Sequence, residues 1–290
     1  MNAIAILGSV FAHAEKSRAI RSHKIQIFSA VFLCLLFAQT ANAEYLLTSV
    51  SVGSNPVRVA YDSAKGEVFV ANFNDNTVSV ISDASNTVVA TISVGTSPTG
   101  IAYDSAKGEV FVSNSGANTV SVISDTSNTV TTTVTVGTGP NGAAYDSARG
   151  EVFVTNEGSN TVSVISDTSN TVVATVTVGT GPGGIAYDSG KGEIFVANES
   201  SGTVSVISDT SNTVIATVTV GTGPGGVAYD SGKGEVFVAN STSNTVSVLS
   251  DSTPPASLPE FPLGGMALLL TVSAAAYVAI RYRALRRPAI

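Results

Sequence analysis

The sequence predicts an all-β protein built from five copies of one structural unit, and two observations support this. Only 12% of the 290 residues are charged, against about 25% in typical domains, and Ser, Thr, Asn, Gly and Val are abundant, which suits strands and tight turns better than helices. A tyrosine and a proline also recur at a constant spacing of 42 residues, which indicates tandem repeats. These positions are Tyr61, Tyr103, Tyr145, Tyr187 and Tyr229, and Pro56, Pro98, Pro140, Pro182 and Pro224.

Each repeat contains four short segments in which apolar and polar residues alternate, a period typical of strands. In the second repeat we predict strands at Gly100–Asp104, Glu109–Asn114, Thr119–Ser124 and Thr129–Gly137. The second strand carries apolar residues on both faces, whereas the fourth alternates Val with Thr, which predicts an outer, half-exposed strand. Four antiparallel strands graded in this way are typical of a β-propeller blade, so residues 44–252 are predicted to form five blades.

The two ends of the repeat region predict how the ring closes. The fifth repeat ends at Asp251 without a fourth strand, while Tyr45–Gly53 precedes the first repeat and has the pattern of one. We therefore expect this N-terminal strand to complete the fifth blade, which leaves no open sheet edge. The predicted fold is thus a β-propeller of five four-stranded blades closed by the N-terminal strand, plus one C-terminal transmembrane helix.

The repeat also resembles a known family. The strings F-V-A-N or F-V-T-N, N-T-V-S-V-I-S-D and T-V-V-A-T-V-T-V-G-x-x-P-x-G-I-A-Y-D recur in this order over residues 44–251 and are similar to the YVTN-type β-propeller repeat. The resemblance implies a surface protein of an archaeon or bacterium. This chain departs from the pattern by a Phe in place of the usual Tyr and a Ser inserted before the Asp, and its five repeats are fewer than the usual seven blades.

The N-terminal residues 1–43 have the organisation of a secretory signal peptide. Basic residues precede an apolar run from residue 25 to 38, and Ala41 and Ala43 offer small residues at a cleavage site. The alternative is an uncleaved membrane anchor, and both predict export. Cleavage would remove Cys34, His13 and His23, so the mature chain would lack thiolate and imidazole chemistry. We therefore expect no catalytic residues, no cofactor and no metal site.

The C-terminal residues predict a membrane anchor. Residues 263–280 contain no charged side chain, and this run is just long enough to span a bilayer. Four arginines follow in a predicted cytoplasmic tail, residues 281–290. A buried core helix is the alternative. Residues 253–262 contain four prolines and are predicted to be a stiff linker.

The linker ends in Pro259, Glu260 and Phe261, immediately before the apolar run. This motif, followed by a helix and arginines, resembles the PEF-type sorting signal of archaeal surface proteins. The resemblance implies processing by an archaeosortase, which would exchange the helix for a lipid anchor at the outer face of the cell membrane. A plain juxtamembrane linker of a single-pass protein is the alternative.

Charge and sequence variation indicate the kind of partner. Residues 44–253 carry 6 basic and 19 acidic residues, so we expect no nucleic-acid binding. The repeats differ most between their second and third strands, in loops that a propeller places around one mouth of its channel together with the connections from fourth to first strands. Arg58, Phe73, Asp75, Glu157 and Glu199 are therefore the candidate ligand-binding residues, unless these loops vary because nothing constrains them.

Two further patterns have competing interpretations. A repeated D-S-x-K/R-G-E turn on the opposite face suggests either Ca²⁺ or glycan binding, or simply turns with screened ion pairs. Asn198 and Asn240 match the N-glycosylation pattern and are predicted to lie in exposed loops.

Two functions follow from these patterns. The first is a non-catalytic surface propeller that serves as an envelope, adhesion or ligand-binding module for a glycan or protein partner. The alternative is a secreted lyase or glycan hydrolase that uses carboxylates at the channel mouth. Near-identical repeats favour the first, because catalysis needs an asymmetric set of groups.

Overall fold

The computed structural model describes residues 46–250, and this part of the chain contains 19 strands and no helix. Residues 50–250 belong to one compact unit, whereas the described residues 46–49 belong to a separate N-terminal unit and contain no strand. The strands form five antiparallel sheets, in each of which consecutive strands are neighbours. The all-β prediction is therefore confirmed for the described residues.

The five sheets follow the five repeats. The first contains β1 (Pro56–Asp62), β2 (Glu67–Asn72), β3 (Thr77–Ser82) and β4 (Thr87–Ser93). The second contains β5 (Pro98–Asp104), β6 (Glu109–Asn114), β7 (Thr119–Ser124) and β8 (Thr129–Thr135). The third contains β9 (Pro140–Asp146), β10 (Glu151–Asn156), β11 (Thr161–Ser166) and β12 (Thr171–Thr177). The fourth contains β13 (Pro182–Asp188), β14 (Glu193–Asn198), β15 (Thr203–Ser208) and β16 (Thr213–Thr219). The fifth contains β17 (Pro224–Asp230), β18 (Glu235–Asn240) and β19 (Thr245–Ser250).

The strands predicted for the second repeat agree with the structure. The second and third have the predicted bounds, the first begins two residues earlier, and the fourth ends two residues earlier. Val110, Phe111 and Val112 are fully buried, so β6 buries both faces, as predicted. On β8, Val134 is buried whereas Thr131 and Thr135 are exposed, which confirms a half-solvated outer strand.

The hydrophobic core is divided into layers between adjacent blades. Between the fourth and fifth blades, Phe195, Val204 and Val206 pack against Val236 and Val238. The same repeat positions build three similar clusters between the preceding blades. One blade is too thin to have an interior of its own, so its stability depends on both neighbours.

The inner strands β1, β5, β9, β13 and β17 line a central cavity of about 340 Å³. Glycine is required here because these strands approach one another closely. A Cβ at Gly100 would lie 2.1 Å from the backbone oxygen of Asn141, and one at Gly184 would lie 1.9 Å from that of Gly225. Any side chain at these positions would therefore push two blades apart.

A buried asparagine at the end of each second strand joins it to the third strand. In the third blade, Asn156 donates from Nδ2 to Thr161 Oγ1 at 3.1 Å and to Ser163 Oγ at 3.0 Å. The same two bonds recur in all five blades. The Asn of the F-V-x-N motif is therefore a structural residue.

The predicted closure by the N-terminal strand is wrong for residues 46–53. Residues 46–55 contain no strand, and the fifth sheet has three strands in the described chain. In the other blades the residue equivalent to Val52 donates its N–H to the start of the third strand, as Val94 does to Asn76 O at 3.0 Å. The described residues contain no such bond from Val52. The physical reason is that β17 does not pack extensively against β1, so nothing brings Val52 to the edge of β19.

We expect Asn156→Ala to lower the free energy of unfolding by about 1–3 kcal/mol, because it removes two buried hydrogen bonds. Thr175→Ala is the matched control, since Thr175 is exposed on the outer strand of the same blade and its loss should cost less than about 0.5 kcal/mol. Chemical denaturation of the purified protein measures both. Equal stability of the two variants would contradict the structural role of this asparagine.

Candidate functional site

A cleft of about 260 Å³ opens at the channel mouth on the side of the first three blades. Its lining residues are Asn55, Val57, Arg58, Phe73, Thr99 and Asn141. The structure therefore brings together two of the predicted ligand-binding residues, Arg58 and Phe73. Their side chains combine a cation with an aromatic ring.

Backbone contacts position the aromatic and cationic groups. Phe73 directly follows β2, and its N–H donates to Asn55 O at 2.9 Å, which ties the loop to the entrance of β1. Arg58 lies on β1 beside a register shift between Pro56 and Arg58. It is exposed and donates from Nη1 to Val57 O at 3.3 Å. This hydrogen bond holds one edge of the guanidinium group, while the rest of the group stays accessible.

Polar groups from the neighbouring blades complete the cleft. Thr99 Oγ1 lies 3.1 Å from Pro140 O and 3.2 Å from Asn141 O, so its hydroxyl joins the second and third blades. Asn141 donates from Nδ2 to Glu157 Oε2 at 3.2 Å, which orients the amide beside the cleft.

The sequence analysis did not single out Asn55, Val57, Thr99 or Asn141. A signal for three of them was present, because the residue after the repeated proline differs between repeats. It is Val57, Thr99, Asn141, Gly183 or Gly225. This variation lies on the inner strand, from which only Arg58 was predicted to be a ligand-binding residue.

The structure does not gather the three predicted carboxylates. Asp75 Oδ2 accepts the N–H of Ser54 at 2.7 Å and so fixes the local loop. Glu157 accepts from Asn141, and Glu199 is exposed on the fourth blade. None of them lines the cleft or the central cavity. Within residues 46–250 no group of three or more Asp, Glu, His or Cys side chains could hold a metal ion.

The two predicted glycosylation sites are not in exposed loops. Asn198 and Asn240 are the last residues of β14 and β18, and they are 0% and 2% exposed. Their Nδ2 atoms, to which a glycan would be attached, donate to a Thr and a Ser of the next strand. The expectation of exposed acceptors was wrong because these asparagines belong to the repeated structural set.

On the opposite face, each D-S-x-K/R-G-E turn joins the first and second strands of one blade. Asp62 is buried, and its Oδ1 accepts the N–H groups of Ala64 and Lys65 at 2.8 and 3.2 Å. Lys65 reaches the second blade, where its Nζ lies 3.4 Å from Asp125 Oδ1 and donates to the backbone oxygen of Asp125. Lys107 makes the same ion pair with Asp167 at 3.1 Å. Pairing between blades occurs at these two junctions, whereas Arg149 pairs with Glu151 of its own blade at 3.6 Å.

The repeated tyrosine lies within the same network. Tyr103 donates to Asp125 Oδ2 at 3.4 Å and also faces Asp62 of the preceding blade. The contact from Tyr103 to Asp62 Oδ2 falls outside standard hydrogen-bond geometry. Burial alone would raise the pKa of Asp62, but hydrogen bonding from Tyr103 and from two backbone N–H groups lowers it. Burial and the nearby aspartates raise the pKa of Tyr103, Tyr145 and Tyr187.

Several predicted segments lie outside the described residues. These are the signal peptide, the Pro-rich linker, the apolar run 263–280, the basic tail, and the motif Pro259, Glu260 and Phe261. Among residues 46–250, no helix is long and apolar enough to cross a membrane.

Comparisons with solved structures identify the class of fold. The chain is similar to a β-propeller domain of Cps50 (Swd1) from Myceliophteria thermophila, with 10% identity, a TM-score of 0.60, and coverage of 75% of this chain and 71% of that one. It is also similar to a functionally unknown protein from Desulfotomaculum acetoxidans, with 19% identity, a TM-score of 0.58, and coverage of 69% and 70%. A hydrazine synthase of Kuenenia stuttgartiensis matches with 12% identity and a TM-score of 0.43, over 73% of this chain and 100% of that chain.

The five repeated sheets and the likeness to the Cps50 propeller domain define a β-propeller repeat protein. No protein-family model matches the sequence, and no curated protein does.

We expect the protein to lose stability as the pH rises above about 10, the ordinary pKa of tyrosine. The half-buried Tyr145 and Tyr187 have raised pKa values in the folded state, so their contribution to stability is fully present below that pH. Above it, the unfolded chain loses phenol protons first and unfolding becomes easier. Tyr145→Phe should reduce the slope of unfolding free energy against pH, and Tyr61→Phe should change it less because Tyr61 is exposed. A denaturation midpoint that stays constant between about pH 9 and about pH 11 would contradict the predicted loss of stability.

Proposed function

We propose that this protein is a non-catalytic surface β-propeller of the YVTN type that binds a ligand at the mouth of its channel. The observation that carries the proposal is the cleft in which Arg58 and Phe73 meet Thr99 and Asn141. The cleft is asymmetric although the repeats are nearly identical, because the first repeat alone places an arginine and a phenylalanine at these positions. Asymmetry of this kind is what a specific binding site needs.

The chemistry of the cleft favours an acidic sugar unit. An aromatic ring packs against the C–H face of a sugar, amide and hydroxyl groups bond to its hydroxyls, and a guanidinium group binds a carboxylate. A volume of about 260 Å³ lies just below the usual range for drug-sized ligands, so it suits one sugar residue of a longer chain. Residues 44–253 are otherwise acidic and would repel a polyanion, so the cleft suits a glycan with a single carboxylate that contacts Arg58, the cationic group of the lining.

The absence of a gathered acid pair supports binding over catalysis. A glycoside hydrolase of the usual kind needs two carboxyl groups on either side of the scissile bond. Here Asp75 and Glu157 are engaged with Ser54 and Asn141, and the cleft is lined by neither.

The proposal includes attachment to the outer face of the cell membrane. It rests on the signal-peptide pattern of residues 1–43 and on the apolar run 263–280 with its following arginines. The linker 253–262 would then hold the propeller away from the membrane, and Pro259, Glu260 and Phe261 would mark the site of archaeosortase processing.

Ligand binding can be tested on an array of neutral and uronic-acid glycans, with peptides included as a second class. We expect acidic glycans to bind, and Arg58→Ala and Phe73→Ala each to weaken binding at least about tenfold, as loss of a central contact does. Glu199→Ala is the control, because Glu199 is exposed outside the cleft. Cleavage of a bound glycan would instead favour the lyase or hydrolase function, and unaltered binding by Arg58→Ala would refute this site.

Attachment can be tested on whole cells and by mass spectrometry of membrane-extracted protein. Added protease should remove the propeller, because arginines at the bilayer centre cost about 2.5–3.5 kcal/mol each and hold the tail inside. Mature protein should end near Phe261. A C-terminal peptide containing Ala284 and Leu285 in most molecules would replace processing with a single-pass anchor, and protection from protease would refute the outside location.

A further inference from the structure

Among residues 46–250, the two end blades each leave one face uncovered, and these faces match. At each interface within the chain, the second and third strands of one blade pack against the next blade. We call the side of the first blade that makes this contact its outgoing face, and the side of the next blade that receives it the incoming face. We define the outgoing face of the fifth blade as Phe237, Ala239, Val246 and Val248, and the incoming face of the first blade as Val59, Tyr61, Val68 and Ile81. Both sets occupy repeat positions that are packed together at the interface between the fourth and fifth blades.

Exposure shows that both end faces are open. Val246 and Val248 are 59% and 55% exposed, whereas their equivalents Val204 and Val206 are 0% and 5% exposed. On the other end, Val59 and Tyr61 are 66% and 54% exposed. A Cβ at Gly226 would meet nothing closer than 3.8 Å, although the equivalent Gly184 touches the next blade. The inner strand of the fifth blade therefore has no following neighbour in the described chain.

The polar groups of the two ends are also complementary. Within the chain, Lys65 and Lys107 pair with an aspartate of the following blade. Lys233 is the equivalent lysine of the fifth blade, and it forms no ion pair among the described residues. Asp83 is the equivalent aspartate of the first blade; it is exposed and accepts a hydrogen bond from Tyr61 at 3.0 Å. By the repeat pattern, Asp83 would pair with the lysine of a preceding blade. The described residues place no such lysine beside it.

We propose that a second copy of this chain covers the open end, with its first blade seated on the fifth blade of the first copy. The contact would repeat the existing blade-to-blade interface, with Lys233 of one copy beside Asp83 of the other and Asp230 beside Tyr61. Because the contact joins two different faces, it is head-to-tail, and it leads to a closed ring of copies or a filament.

The position of β19 as the last strand of its sheet among the described residues supports the same occupant. The fifth sheet has three strands, and the outer strand of the fourth blade is unusually exposed beside it, with Val218 at 36% where the equivalent Val176 is at 5%. In a second copy, Val50–Gly53 precedes β1, and its S-V-G sequence is similar to the S-V-G or T-V-G found at the end of the outer strands of the first four blades. If the first blade of the second copy packs against the fifth blade, this segment would lie along β19. It would then cover a strand edge that could otherwise pair with other chains non-specifically.

Mixed-isotope cross-linking of the full-length protein tests which occupant is present. Unlabelled and isotope-labelled chains are mixed and treated with a zero-length carbodiimide, which joins a lysine to a carboxylate in direct contact. We expect Lys233–Asp83 peptides that contain one labelled and one unlabelled partner. The Lys107–Asp167 pair, at 3.1 Å within one chain, is the internal control and should give only matched labels. Lys233–Asp83 peptides with only matched labels would show that the chain closes on itself, and the absence of the cross-link would also overturn the proposal.

Association itself is measured by light scattering over a range of concentrations. Val248→Lys should raise the dissociation constant at least about tenfold, because it places a charge at the centre of an apolar contact. Val89→Lys is the matched control, since Val89 is similarly exposed, at 52%, on the outer strand β4. Both variants should fold, because both side chains face solvent in the single chain. A monomer at all concentrations, or equal association of the two variants, would refute head-to-tail assembly.

Discussion

The contact between adjacent blades is the interaction on which this structure depends. Each four-stranded sheet is one layer thick and buries its two faces only against its neighbours. Valine, isoleucine and phenylalanine at fixed repeat positions supply the apolar area, and the removal of that area from water is the main favourable term in folding. Polar groups add direction to the contact: the lysine of one blade reaches an aspartate of the next.

This constraint explains the residues that do not vary between repeats. The glycine of each interior inner strand allows two backbones to approach, as at Gly100 and Asn141. The glycine of each first turn has a positive φ, such as 65° at Gly66, and a Cβ there would lie 2.5 Å from Asp83 Oδ1. The buried asparagine holds the second and third strands together. Features that looked like candidate sites, including Asn198 and the acidic turns, belong to this common framework.

The variable positions produce the binding chemistry. Because the framework is repeated, a ligand site can arise only where one repeat differs from the others. Arg58 replaces the inner-strand glycine of the other repeats, and Phe73 replaces a small or polar loop residue. Thr99 and Asn141 differ at the position after the repeated proline, and their backbone and side-chain bonds to neighbouring blades orient them towards the same cleft.

The sequence by itself determined the strands, their order and their exposure, because each of these follows from local alternation and from turn residues at a constant period. Val110, Phe111 and Val112 could be recognised as buried on both faces from their neighbours alone. It also indicated Arg58 and Phe73, because they differ from the other repeats. Only the tertiary structure decided that Asp75, Glu157 and Glu199 stay apart, that Asn198 is buried, and that the fifth sheet has three strands among the described residues. These outcomes depend on distances between blades, which are set by how sheets pack and curve together, and no local pattern in a single repeat records them.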